Sequence, residues 1–291
     1  MDARRARTAR ITLDDPAAAP RPRSEVQLEF GPWGMAFSQW SVEDVRSRFS
    51  FVPVRQKGLR SFLRTFWLNA DDSYDLVARY TDGFPADPSC AARRADLAEV
   101  TAAYRGSGVA AKGTPLTGPR LGDDPSLFLS PVNGPVNGPA DGEIGLPGTR
   151  TYHRSPGFVW DSALEVGDSF LADGGRAVGR GHSREVWNAA VTGPSVAGLG
   201  AGRTGDEVTV AAGALFADGG AGRAGTDGAA TGTATLTQGG RTLAETGLAG
   251  CRPDPPERCV RRARVGVSHR GGPPRLQCGG RHAVPAASTA R

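Results

Sequence analysis

Lysine is almost missing from this chain. Of 35 basic residues only Lys57 and Lys112 are lysines; the rest are arginine. Neither lysine follows a Gly-x-x-x-x-Gly-Lys-[Ser/Thr] run, so the backbone cradle that holds nucleotide phosphates is excluded. Long apolar runs are missing too. Nothing approaches the roughly 18 residues a helix needs to cross a bilayer, which excludes a helical membrane span. Histidine is limited to His153, His182, His269 and His282, and no serine stands in Gly-x-Ser-x-Gly. Nothing in the sequence therefore singles out a Ser-His-carboxylate triad. Cysteine is scarce and lopsided: Cys90 stands alone, while Cys251, Cys259 and Cys278 cluster near the C-terminus. Their C-x7-C-x18-C-x3-H spacing, ending at His282, matches no zinc knuckle or ribbon, so no metal and no cofactor is expected.

What is abundant is glycine (41) and proline (22). Both break helices, so long helices are not expected to dominate. The Arg, Ala, Gly and Pro excess is what a GC-rich genome writes. The net charge of +5 divides unevenly. Residues 251–291 hold nine arginines against Asp254 and Glu257, whereas residues 1–250 carry 26 basic and 28 acidic side chains. The basic stretch has no Phe, Tyr or Trp to stack on bases. A disordered tail is thus favoured there over a nucleic-acid interface, and no nucleic-acid partner is expected.

Strand signals recur along the chain. Val26, Leu28 and Phe30 alternate with Glu25, Gln27 and Glu29, the pattern of a half-buried strand. Leu59–Leu68, the polar turn 69–73 and Tyr74–Tyr80 read as a hairpin. Thr233–Gln238, Gly239-Gly240 and Arg241–Glu245 read as a second, with Leu236 opposite Leu243 and Thr237 opposite Thr242. One helix is predicted near residues 96–104, where Leu97, Val100 and Tyr104 share a helical face. Residues 106–148 then read as a Gly/Pro linker containing Val132-Asn133-Gly134-Pro135 and its repeat at 136–139. Gly200, Gly202 and Gly205 match Gly-x-Gly-x-x-Gly but precede a strand, where no helix can aim amides at a pyrophosphate. The acidic pairs Asp14-Asp15, Asp71-Asp72 and Asp123-Asp124 sit in turns, where Asp caps its own backbone.

The expected fold is therefore mainly β: two antiparallel β-sandwich-like domains joined by a short helix and a Gly/Pro-rich linker, with a disordered basic tail. The boundaries are a β domain over 1–92, helix and linker over 93–148, a β-sandwich over 149–250 and the tail over 251–291. Trp33, Trp40 and Trp67 are candidate ligand-facing aromatics, although aromatics in a β-rich region more often fill its core.

Several segments are similar to a known family. They include Asp2-Ala3-Arg4-Arg5-Ala6-Arg7 with Ile11-Thr12-Leu13, Ser73-Tyr74-Asp75-Leu76-Val77, and Pro147-Gly148-Thr149-Arg150-Thr151 leading to Trp160. The most telling are residues 185–194 (Glu-Val-Trp-Asn-Ala-Ala-Val-Thr-Gly-Pro) and the Gly205-Asp206-Glu207-Val208-Thr209-Val210 block. Together, over roughly residues 1–250, they resemble the non-catalytic C-terminal region of actinobacterial secreted subtilisin-like serine proteases. The resemblance implies accessory β domains, an extracellular setting and no catalytic residue in this chain. The family's Asp-[Ser/Thr]-Gly, His-Gly-[Thr/Ser] and Gly-Thr-Ser-Met-Ala signatures do not occur here. No apolar leader follows the basic Met1-Asp2-Ala3-Arg4-Arg5, so no signal peptide is expected at this end. After Gly250 the resemblance stops, where a Tyr/Val-rich final strand pair is expected. A reading-frame shift there, a late start near Met1, and an exposed sheet edge left by the lost strand are the corresponding expectations. Two other readings stand beside this one. An independent module would bind carbohydrate or protein through Trp33, Trp40 and Trp67; a cryptic hydrolase would use His153 or His182.

Overall fold

The structure, a computed structural model, describes residues 3–30, 35–41, 50–70, 72–106, 108–121, 142–189, 192–194, 199–204, 207–212, 216–218, 223–227, 231–249, 261–266 and 275–281. The fold is mainly β, as the composition predicts. Two seven-stranded sheets dominate it. The first runs in the order Gly181–Trp187, Ala98–Tyr104, Gly148–Arg154, Asp72–Tyr80, Leu59–Leu68, Ala19–Phe30, Met35–Ser41. The second runs Ile144–Leu146, Ala111–Arg120, Val159–Val166, Ser169–Ala177, Ala224–Asp227, Phe216–Asp218, Thr192–Pro194. They pack face to face, and the seam is apolar. Val100, Ala102, Tyr104, Tyr152 and Trp187 of the first sheet meet Ile144, Leu146, Leu164 and Leu171 of the second. Phe62 meets Leu121, Phe158 and Trp160 farther along.

The opposite face of the first sheet is covered over part of its width. Tyr74, Leu76, Ala78 and Leu63 pack there with Ala9, Ile11 and Leu97. Pairing is mixed rather than wholly antiparallel. Ala98–Tyr104 runs parallel to Gly181–Trp187, and Gly148–Arg154 parallel to Asp72–Tyr80.

The helix predicted over 96–104 is instead a strand, Ala98–Tyr104, preceded by a single 3-10 turn at Arg94–Asp96. Ala98, Val100, Ala102 and Tyr104 are all buried while the residues between them are not, a period of two. The predicted linker also yields to strand: Ala111–Arg120 pairs with Ile144–Leu146 and with Val159–Val166. Pro115 and Pro119 are tolerated because, among the described residues, that part of the strand is paired along one side only. The Val-Asn-Gly-Pro repeat lies outside the described residues. Strands from either side of segment 93–148 hydrogen-bond in one sheet, since 72–80 and 148–154 are direct neighbours.

The Gly-Gly hairpin forms as Thr231–Gln238 and Arg241–Ala249. Gly239 and Gly240 have φ of 56° and 79°, the left-handed pair that a tight hairpin needs. Thr237 opposes Thr242 as predicted, but Leu236 opposes Ala244, because a bulge after Leu236 absorbs Leu243. The basic tail is not wholly without structure. Arg261–Gly266 pairs with Glu207–Ala212, and Arg275–Arg281 covers the second side of Thr231–Gln238. Arg241–Ala249, the last strand before Gly250, is paired along one side only among the described residues.

Candidate histidine–carboxylate site

The period-two burial of Ala98–Tyr104 sends Glu99 and Thr101 to the face away from the second sheet. Register then sets a row of side chains across five strands: His182, Glu99, His153, Tyr74 and Trp67. Each is directly opposite the next, so all five share that face.

His153 is the centre of the row and is 1% exposed. Its ring stacks on Tyr74 with centroids 4.5 Å apart and planes 17° from parallel. Its Nε2 lies 3.5 Å from Asp72 Oδ2 and its Nδ1 lies 4.0 Å from Glu99 Oε2. Arg94 also reaches Asp72 Oδ2, at 3.0 Å. Burial lowers the imidazole pKa, the Arg94 charge adds to this, and Asp72 and Glu99 oppose it. The folded protein thus favours a neutral His153.

Glu99 faces a second histidine on its other side. His182 Nε2 is 4.0 Å from Glu99 Oε1 and 3.0 Å from the Thr101 hydroxyl. At the far end, Tyr74 donates its phenol proton to Asp15 Oδ2 at 2.5 Å, and Asn69 Nδ2 donates to the same oxygen at 3.1 Å. Asp15 Oδ1 accepts the Ala17 amide at 2.9 Å, the backbone cap predicted for the Asp14-Asp15 turn. The Tyr74 bond, then the Ala17 and Asn69 bonds, hold the Asp15 carboxyl below its usual range. Burial and the Asp15 bond push the Tyr74 phenol well up.

These distances define what the row can do. Both ring nitrogens of His153 face carboxylates. His182 meets the Thr101 hydroxyl and Glu99 at one and the same nitrogen, whereas a triad histidine takes the carboxylate on one nitrogen and the nucleophile on the other. Among the described residues no group of three or more His, Cys, Asp or Glu side chains is placed to hold a metal ion. The arrangement stacks His153 on Tyr74 between two carboxylates, with no hydrogen-bond partner at His153 Nε2, and ties the Asp14-Asp15 turn to the sheet through the Tyr74 and Asn69 bonds.

The candidate aromatics fare differently from one another. Trp33 lies outside the described residues. Trp40 is placed on Met35–Ser41, its backbone opposite Glu25. Trp67 is half-buried and packs with the Leu63–Tyr74 cluster, its indole Nε1 sealed from solvent without a hydrogen-bond partner. It fills core. Cys90 is a free, half-buried thiol whose pKa burial pushes up. The carboxylates around His153 escaped the sequence reading because Glu99 was assigned to a helix. Alternation of Ala98, Val100, Ala102 and Tyr104 is the signal that would have put Glu99 on a strand.

No family model matches this chain, and no curated protein matches it.

Proposed function

We propose that this chain is a non-catalytic accessory region, of the kind that follows the catalytic domain in secreted subtilisin-like serine proteases. Its role there is to stabilise the enzyme or to position substrate and surface ligands. One observation carries the reading: among the described residues, His153 and His182 stand in a strand-to-strand row, and the one hydroxyl that meets either ring, that of Thr101, meets His182 at the same nitrogen as Glu99. The mainly β architecture and the resemblance over residues 1–250 support it.

The test is a serine-directed fluorophosphonate probe applied to the full chain, together with sequencing of the surrounding locus. No labelling is expected, and a reading frame carrying the Asp, His and Ser protease signatures is expected beside this one. Stoichiometric labelling abolished by His153→Ala or His182→Ala would sink the proposal in favour of a hydrolase. A locus with no protease frame would favour a free-standing binding module.

A further inference from the structure

Independently of that reading, the layer over the outer face of the first sheet is basic at one end. Arg7 stands directly opposite Phe51, whose ring stacks on Phe84 with centroids 4.0 Å apart and planes 14° from parallel. Phe84 stands opposite Val54, and Gly83 opposite Arg55. The stacked rings thus join two short ladders, Arg7–Thr8 with Ser50–Phe51 and Val54–Arg55 with Gly83–Phe84. The first sheet anchors them from beneath. The Tyr80 ring lies 6.0 Å from that of Phe84, and the Ser61 hydroxyl donates to the Gly83 carbonyl at 3.4 Å.

The side chains on the outside of these ladders are cations. Arg4, Arg5, Arg7, Arg10, Arg55 and Lys57 are all exposed. Two acids stand near them among the described residues, and both serve turns. Asp82 Oδ1 accepts the Gly58 amide at 2.9 Å, and Asp87 Oδ1 accepts the Ser89 amide at 3.0 Å. Arg5, Arg7, Arg10, Arg55 and Lys57 form no ion pair among the described residues. Outside those residues, Asp2 removes one charge, while segment 42–49 sets Glu43 and Asp44 against Arg46 and Arg48 and removes none. Arg60 and Arg79 stand on the other face of the sheet, since Ser61 and Tyr80 beside them face the ladders.

This excess is local. Residues 1–250 carry 26 basic and 28 acidic side chains, so the body as a whole has no basic surplus to spread. The acids of the layer gather at its other end, where Asp14 takes the Arg94 amide, Asp15 takes the Tyr74 phenol and Asp72 pairs with Arg94. Like charges held together on a fixed scaffold repel one another and raise the local concentration of anions.

We propose that this basic end binds a linear anionic polysaccharide. Arginine presents a planar fork that fits carboxylate or sulfate oxygens two at a time, and cations spread over two ladders match charges repeated along a chain. The rings at this place are committed inward: Phe84 is 6% exposed and Phe51 is half-buried against it, which leaves no open ring for a nucleic-acid base to stack on. Val54, at 43%, is the one exposed large apolar side chain among the described residues, too little to enter a bilayer.

The experiment titrates the full chain with a heparin hexasaccharide in a calorimeter. Saturable binding is expected, its logarithm falling linearly with the logarithm of salt as counterions are released. Reversing Arg7→Glu and Arg55→Glu together should weaken it about 100-fold, and Arg5→Gln with Lys57→Gln about tenfold. Arg184→Glu with Arg241→Glu, exposed sites elsewhere, changes net charge as much as the first pair and should leave affinity within about twofold. An equal loss in both reversed pairs would reduce the effect to net charge and overturn the site. Unchanged affinity in the Arg7 and Arg55 variant would move the ligand to residues 251–291 and overturn it too. A 12-base-pair DNA duplex or phosphatidylglycerol vesicles binding as tightly as the hexasaccharide would replace the polysaccharide with a nucleic-acid or membrane partner.

Discussion

The two faces of the first sheet handle charge in opposite ways. Toward the second sheet, charge is permanent: Arg64, Asp75 and Arg154 lie among Phe62, Trp160 and Tyr152, and the guanidiniums cannot titrate. On the other face, charge is conditional. His153 stands between Asp72 and Glu99, and its burial holds the imidazole pKa below the ordinary value. The same strands serve both, because neighbouring residues such as His153 and Arg154 point to opposite sides. The difference teaches that one face sets whether the sheets dock at all, while the other sets the conditions under which the docked form is favoured.

The strongest way to break this contrast is Asp75→Ala. It leaves Arg64 buried without its carboxylate and should cost about 3–5 kcal/mol in urea unfolding. The double change Arg64→Met with Asp75→Leu should recover most of that loss; a single-variant loss no larger than a surface ion pair's would show that the inner pair is not sealed. Leu164→Ala tests the apolar part of the same face. Leu164 is 0% exposed, and its truncation should cost about 3 kcal/mol through lost contacts and the cavity left behind.

The outer face should reveal itself in pH dependence. His153 has a lowered folded pKa, so the folded protein binds fewer protons than the unfolded chain below the ordinary histidine value of about 6.5. Its effect is absent at high pH, and stability falls as pH drops below that value. Melting curves at pH 7.5 and 5 should therefore lie closer together for His153→Phe than for the wild type. Equal separation in both would remove His153 from the acid response. The smallest effect is expected for Tyr74→Phe. Losing the phenol should let the Asp15 carboxyl move back up toward its usual range, measured by carboxylate NMR titration, and leave the second sheet undisturbed.

Much of the fold was legible in local pattern. The hairpins at 59–80 and 231–249 were readable because alternation and turn chemistry agree there; only the bulge at Leu243 escaped, since nothing local encodes it. Residues 96–104 misled for a physical reason. Alanine at 98, 102 and 103 is a strong helix former yet also fits a crowded sheet interior, and tertiary packing overrode the propensity. Ala111–Arg120 was hidden by its prolines, which are compatible with a strand whose 114–120 part, among the described residues, pairs along one side only. The histidine row and the placing of Arg154 beside Asp75 were not readable at all. Both arise from register between strands far apart in sequence: Glu99 with His153 and His182, Arg154 with Asp75.

That register has a kinetic consequence. The strand Gly148–Arg154 lies between Ala98–Tyr104 and Asp72–Tyr80, both of which precede it in the chain. During synthesis the two flanking strands emerge first and have no partner to join them, so their facing edges must wait for residues 148–154. Closure of the sheet is deferred to the second half of translation, and loop closure over such separations is slow. A nascent chain stalled before residue 148 would carry Ala98–Tyr104 open along both sides and Asp72–Tyr80 open along one, the state in which a β protein is most exposed to pairing with another copy of itself.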